Sequence, residues 1–317
     1  MTAPDQSLDR SSFTYSIVIP VFNSEAIVGD TIDRVVEVFT GAGLSFELIL
    51  VNDGSTDDSW GVISERAARL PGVVALDLLK NYGQHYANLA GLTQSTGDYV
   101  ITMDDDLQNP PDQALVLIDK AMAGHEVVFG QFEQKAAGGV RRIGSRLIGV
   151  MNSRIFGKPA DLVVSNFRIL RRDVVNRIIA SRTAYPYITG QALMYSGNRA
   201  NVLVRHDARP VGKSNYSLVR IVRLVLTILF SYSSWPLRAA AVLGFAISGL
   251  SFVLGGFLVG RALVRDTVFP GWTSIMVLVS LFAGFIIALL SMIGEYVVRT
   301  LQTVSTEETF HVVRRVE

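Results

Sequence analysis

Short apolar runs rich in β-branched side chains alternate with longer stretches of helical periodicity along the N-terminal part of the chain. Tyr15–Phe22, Phe46–Val51, Val73–Leu79 and Tyr99–Met103 read as buried strands. Val127–Gly130 reads as a further strand, and Leu193–Tyr195 and Val202–Arg205 are strand-like. Between the first four lie amphipathic helices. One runs from Glu25 to about Gly41, and the next opens at Ser55, Thr56 and Asp57, residue types that cap helix N-termini. Residues 1–13 read as a loose, flexible tail. Repeated strand–helix alternation predicts an α/β fold, a parallel sheet with helices on both faces. Ligands of such sheets bind beyond the carboxyl ends of the strands. Those ends carry Pro20–Glu25, Asp53, Asn81 and Asp104–Gln108, so four segments converge on one crevice suited to a nucleotide.

The pattern changes near the C-terminus. Ala239–Gly260 and Thr273–Gly294 contain no charged residue, and about 20 helical residues cross the hydrocarbon core. The short connector makes them a transmembrane hairpin (237–298) with both ends on one side. Arg220, Arg223 and Arg238 before it, with Arg299, Arg314 and Arg315 after it, place those ends in the cytosol. Leu218–Phe230 is apolar but broken by Arg220 and Arg223. Residues 217–236 therefore read as an interfacial helix, with a third partial span as the alternative. Gly256 and Gly260 allow close helix contact and hence a homo-oligomer, a tetramer being one candidate size. The tail, Thr309–Val316, has the β-branched content of a strand that returns to the soluble domain.

Composition sharpens this picture. The 317 residues are 49% hydrophobic, with a mean hydropathy of +0.35 concentrated in the C-terminal hairpin. A net charge of +1 gives no electrostatic case for nucleic acid. The absence of cysteine excludes disulfides and thiolate metal sites. The polar N-terminus lacks an apolar signal region, which predicts a cytosolic first domain. The four histidines show no metal spacing, and neither a dinucleotide glycine motif nor an ATPase loop follows any strand.

The candidate chemistry centres on Asp104, Asp105 and Asp106, followed by Gln108 and a double proline. Three adjacent carboxylates repel one another unless solvated on an exposed turn or offset by a hard cation, Mg²⁺ or Mn²⁺. Strand alternation would put Asp104 and Asp106 on one side and Asp105 on the other. Arg141, Arg142 and Arg146 follow a glycine pair. They form either a solvated helix start or a phosphate clamp. Of a second group, Arg168 is expected inward and Arg171 and Arg172 at the surface.

SIVIPVFN, LILVNDGSTDDS, NYGQH, TGDYVITMDDDLQNPP, FRILRRDVV and RPVGKSNYS, with the C-terminal hairpin, together resemble family 2 glycosyltransferases of the polyprenyl-phosphate type. That group includes dolichol-phosphate mannose synthase and bacterial bactoprenol-phosphate glucosyl and aminoarabinosyl transferases. The resemblance covers nearly the whole chain. It implies a GT-A domain (14–216), a nucleotide-sugar donor, more readily a UDP-sugar, and a Mg²⁺ or Mn²⁺ ion. It further implies inverting transfer to polyprenyl (undecaprenyl) phosphate at the cytosolic face of the inner membrane, for cell-envelope glycan modification. Pro20, Val21, Phe22, Val51, Asp53 and Asn81 match donor-binding positions, with Glu25, Asp104 and Asp105 beside them. Asp104, Asp106 and Gln108 match the metal and diphosphate motif. Arg141, Arg142, Ser145, Arg209, Lys213 and Ser214 match the acceptor-phosphate region.

Four departures stand out. Ser24 displaces Glu25 by one position, and Asp105 replaces the usual alanine. Asn166 stands where relatives often carry an acid, and Asn215 where they carry lysine. Asn166 cannot act as a base, but a dianionic lipid phosphate needs none. Other readings are transfer to a polysaccharide or other lipid-linked acceptor, and a non-catalytic scaffold or flipping partner. The first lacks the Gln-x-x-Arg-Trp motif and additional spans of processive synthases.

Overall fold

The computed structural model describes residues 8–132, 149–181, 183–207, 218–264, 271–304 and 309–317. The chain divides into two units. The first comprises the residues up to Ser217 together with the end from Glu308, and the second comprises Leu218–Glu307.

The first unit is built on an eight-stranded sheet. Its strands are β1 (Thr14–Val21), β2 (Ser45–Asn52), β3 (Val73–Leu78), β4 (Tyr99–Thr102), β5 (Val127–Phe132), β6 (Arg168–Arg171), β7 (Arg199–Val204) and β8 (Val312–Val316). Their spatial order is β7-β5-β6-β4-β1-β2-β3-β8. Helices α1 (Val28–Gly41), α2 (Ser59–Arg69), α3 (Gln84–Gln94) and α4 (Gln113–Met122) follow β1 to β4 in turn. Two more, α5 (Arg172–Ala180) and α6 (Ile188–Tyr195), follow β6.

The central strands are mostly apolar because helices cover both faces. From Tyr15 to Val21, β1 is wholly buried, as is all of β4. Helix α1 buries one stripe, turning Val28, Thr31, Ile32, Val35 and Phe39 inward, whereas α3 and α6 are buried on all sides along Ala87–Leu92 and Ile188–Leu193.

Strands β1, β2, β3 and β4 pair in parallel, as the alternating pattern predicts. The outer part of the sheet corrects the wholly parallel expectation. Strand β6 runs antiparallel to β4 and β5, and β8 antiparallel to β3. The strand-like Leu193–Tyr195 belongs instead to α6, because Leu193 continues a buried helical run from Ile188. The predicted tail strand forms as β8, with Leu79 N–H donating to the His311 carbonyl at its start.

Arg168 is fully buried, as expected. Arg172 departs from the surface expectation. Its Nε donates to the Gly97 carbonyl at 2.7 Å, and its Nη1 to Ser95 Oγ at 3.2 Å. A turn at Arg10–Ser12 precedes β1, and Arg10 pairs with Asp119 at 3.1 Å.

The second unit holds α7 (Leu218–Tyr232), α8 (Trp235–Val264) and α9 (Trp272–Val304). At 30 and 33 residues, α8 and α9 are each about 45–50 Å long. Between α7 and α8, Ser233 Oγ accepts the Trp235 N–H at 3.1 Å, and its carbonyl accepts Tyr296 Oη–H at 3.0 Å. Among the described residues no helix is long and apolar enough to cross a membrane. Over the full sequence both uncharged runs lie within single helices. Val242, Leu250, Val253 and Phe257 of α8, and Ile275, Ile287 and Leu290 of α9, are exposed.

Candidate active site

The chain steps outward from β1 to β2 and β3, then crosses back to place β4 on the other side of β1. This reversal opens a crevice at the carboxyl ends of β1 and β4. The two strands pair only as far as Val18 and Thr102, where the Met103 N–H donates to the Val18 carbonyl at 3.2 Å. Two residues on, Pro20 faces the same side, where the ladder has ended and its missing N–H leaves no gap in the pairing. The Pro20, Val21 and Val51 side chains are buried in the sheet. Phe22, the first residue beyond β1, is 47% exposed at the crevice.

The loops at the ends of β1 and β2 are laced together. Asn23, at φ 51°, accepts the Thr56 N–H through Oδ1 at 2.8 Å. The Glu25 N–H donates to Asp57 Oδ2 at 3.1 Å, and Glu25 Oε2 accepts the Asp58 N–H at 2.7 Å. Glu25 thus braces the neighbouring loop at the N-terminus of α2, and α1 starts three residues later, at Val28. Asp53 is buried at the floor, where Tyr82 N–H and Gly83 N–H donate to its two oxygens at 2.7 and 2.8 Å. Burial raises its carboxyl above the ordinary value, and those two bonds oppose the rise. Gly54 has φ +63°, and a Cβ there would lie 2.4 Å from the Asn81 backbone nitrogen. Only glycine brings these two loops so close. Asn81 itself is exposed.

The three acids lie past the end of β4, on a turn, so strand alternation does not govern them. Asp104 and Asp105 reach for different neighbours. Asp104 Oδ1 accepts from Gln84 Nε2 at 2.6 Å and from Asn166 Nδ2 at 2.7 Å. The Asp105 carboxylate lies near Ser24 and Phe22 on the β1 loop, and the Asp105 carbonyl accepts Thr31 Oγ1–H at 2.9 Å. Buried Asp106 accepts the Gln108 N–H through Oδ1 at 3.1 Å. Burial raises the Asp104 carboxyl, and the Asp106 charge adds to it. Burial likewise pushes Asp105 up to about 6, against the bond from Ser24 and with help from Asp104 and Asp106.

Clustered, desolvated carboxylates are a donor set suited to a hard divalent cation, which is commonly held by one or two carboxylates plus substrate phosphates. Among the described residues no group of three or more acids or histidines converges on one point. Arg141, Arg142, Ser145, Arg209, Lys213 and Ser214 lie outside the described residues.

Behind Asp104 is a polar layer that motif spacing does not disclose. Asn166 Oδ1 accepts from Asn88 Nδ2 at 3.1 Å and from Arg168 Nη2 at 3.3 Å, and Arg168 Nη1 donates to Thr189 Oγ1 at 2.7 Å. Burial lowers Arg168 to about 10. His85 packs edge-on to Tyr187 at 5.2 Å, and burial, aided by Arg168, lowers it to about 4.

The sequence profile described as Glycosyl transferase family 2 matches residues 16–179, just over half of the chain. The chain belongs to glycosyl transferase family 2. Across its length this glycosyltransferase is 31% identical to an undecaprenyl-phosphate 4-deoxy-4-formamido-L-arabinose transferase of Shewanella sediminis, covering 94% of this chain and 91% of the relative. The Pseudomonas fluorescens protein of the same name is also 31% identical, covering 94% and 88%. An uncharacterized glycosyltransferase of Bacillus subtilis is 29% identical, covering 90% and 88%. Among solved structures, glucosyl-3-phosphoglycerate synthase from Mycobacterium tuberculosis, in complex with Mn²⁺, uridine diphosphate and phosphoglyceric acid, superposes with a TM-score of 0.53 at 21% identity. That superposition covers 68% of this chain and 78% of that one. The shared feature is the fold, the Rossmann-like GT-A arrangement.

Proposed function

We propose that this glycosyltransferase moves a sugar from a nucleotide sugar, a UDP-sugar first among them, to polyprenyl phosphate at a membrane surface, assisted by Mg²⁺ or Mn²⁺. The observation that carries the reading is the acid turn Asp104–Asp106 set beyond β4, opposite the open end of β1. Two findings support it. The undecaprenyl-phosphate transferases match 94% of the chain, the long helices included. Neighbours of the same fold were crystallised with Mn²⁺ and UDP.

The nucleoside enters the crevice between the β1 and β2 loops, with Phe22 at its rim and Asp53 at its floor. Asp104 and Asp106, with Gln108, would hold the cation and, through it, the donor diphosphate. When bound, the cation neutralises charge developing on the departing diphosphate. The acceptor phosphate, with a second pKa of about 6, is largely dianionic at neutral pH and attacks without a base. Its oxygen bonds to the anomeric carbon as the carbon–oxygen bond to the diphosphate breaks, taking its electron pair, with inversion. Arg141, Arg142 and Arg209, beside Ser145, Lys213 and Ser214, neutralise and orient the incoming phosphate. The uncharged runs of α8 and α9 form a two-span hairpin in the inner membrane, α7 lies at the headgroup level, and the first unit faces the cytosol.

The test uses the full chain in membranes with undecaprenyl phosphate and labelled UDP- and GDP-sugars. Label in the organic extract, dependent on the lipid phosphate and abolished by a chelator, is expected. No labelled lipid from any donor would overturn the reading.

A further inference from the structure

Asn166 is held so that its amide has one allowed orientation. Its backbone carbonyl accepts Thr102 Oγ1–H at 2.5 Å, which ties it to the end of β4. Asn88 Nδ2 and Arg168 Nη2, both donors, converge on its Oδ1, while its Nδ2 faces the Asp104 carboxylate at 2.7 Å. A flipped amide would set its N–H groups against a guanidinium and its oxygen against an anion.

Arg168 is fully buried, its Nε has no hydrogen-bond partner, and among the described residues it has no ion-pair partner. The amide of Asn166 thus stands between the Arg168 cation and the Asp104 anion. Gln84 completes the arrangement from α3, donating to the same Asp104 Oδ1 at 2.6 Å. A carboxylate oxygen offers two lone-pair sites. Two amide donors fill those of Oδ1 and turn Oδ2 away from the amides.

We propose that Asn166 and Gln84 are positioning residues that lock Asp104 so that it offers Oδ2 alone, as a single-oxygen ligand, to the divalent cation of a nucleotide diphosphate. This rests on the reading of the site given above. It also gives a physical reason why an asparagine, rather than an acid, suits this position. An aspartate at 166 would pair with Arg168, lose the donor to Asp104 and set two carboxylates side by side. Asparagine instead passes the polarisation of Arg168 to Asp104 through a neutral group. Partners of this kind commonly change metal affinity by about 10–100-fold when replaced.

The experiment is Mn²⁺ titration in the presence of UDP, followed by electron paramagnetic resonance on the full-length protein, with thermal unfolding of each variant. Asn166→Asp is expected to weaken Mn²⁺ binding at least about tenfold, with a thermal midpoint equal to or above the native one, since Arg168 gains a partner. Gln84 is exposed, so Gln84→Met tests the same lock with the core untouched, and a severalfold loss is expected. Native Mn²⁺ affinity in both variants would overturn the proposal. So would faster sugar transfer by Asn166→Asp, which would mark position 166 as the seat of a base. Failure of the native protein to bind Mn²⁺ with any nucleoside diphosphate would sink the reading of the site itself, a result separable from loss in the variants alone.

Discussion

Arg314 donates through Nε to Asp77 Oδ2 at 2.7 Å, joining the last strand of the chain to the carboxyl end of β3. Asp77 is only 5% exposed, and its other oxygen accepts Asn52 Nδ2–H at 2.7 Å, next to Asp53. The Arg314 guanidinium also lies 4.6 Å over the Trp60 ring. Removing the cation leaves a buried carboxylate underpaired, whereas removing the acid leaves an arginine able to reach water. Arg314→Ala should therefore cost about 1–3 kcal/mol, and Asp77→Asn clearly less. Urea unfolding of the two variants checks the order, and a reversed order would refute it.

Gly54→Ala should lower donor affinity and stability together. Left-handed φ costs alanine about 1–2 kcal/mol, and its Cβ would strike the backbone at Asn81. Calorimetry with UDP, paired with thermal unfolding, reads both. Normal UDP binding would show that the β2 and β3 loops need not meet.

Asp106→Asn should reduce transfer by at least about a hundredfold, the scale of several kcal/mol of charge stabilisation. Asp105→Asn should lose much less, because the cation is assigned to Asp104 and Asp106 with Gln108. Initial rates at saturating donor distinguish the neighbours, and equal losses would contradict the division of roles.

His85 gives the fold a pH dependence. Its folded value, about 4, lies below the ordinary 6.5, so between these values the unfolded chain binds more protons. Stability is then full above about pH 6.5 and falls as pH drops toward 4, by up to on the order of 3 kcal/mol. His85→Gln should flatten the difference between denaturation curves at pH 7 and pH 5. An unchanged difference would show that the imidazole is protonated in the fold.

Arg142→Ala should raise KM for the lipid phosphate more than KM for the nucleotide sugar, because the guanidinium is assigned to the incoming anion. Steady-state kinetics with each substrate varied in turn decides it, and an equal rise in both would remove the assignment.

The inner strands were readable because both of their faces are buried, which leaves continuous apolar runs at Ile17–Val21 and Leu48–Val51. The loops beyond them were readable from the polar residues at the strand ends. Strand β6 escaped notice because it is four residues long and carries Arg168 and Arg171 at its ends. Its pairing with β4 and β5 depends on partners distant in sequence. Asn166 was noticeable only as a missing acid, since its work depends on Asn88, Arg168 and Asp104 meeting in space. Arg172 was expected at the surface because nothing local marks the Gly97 carbonyl that receives it.

The order in which a ribosome delivers the chain gives β8 a further meaning. The sheet is left after β7, all of Leu218–Glu307 is then made, and β8 returns to β3 only afterwards. The β3 edge therefore stays uncovered until the residues after α9 have been made. A product cut short after α9 would carry a bare β3 edge and an unanswered Asp77, open to strand addition by other chains.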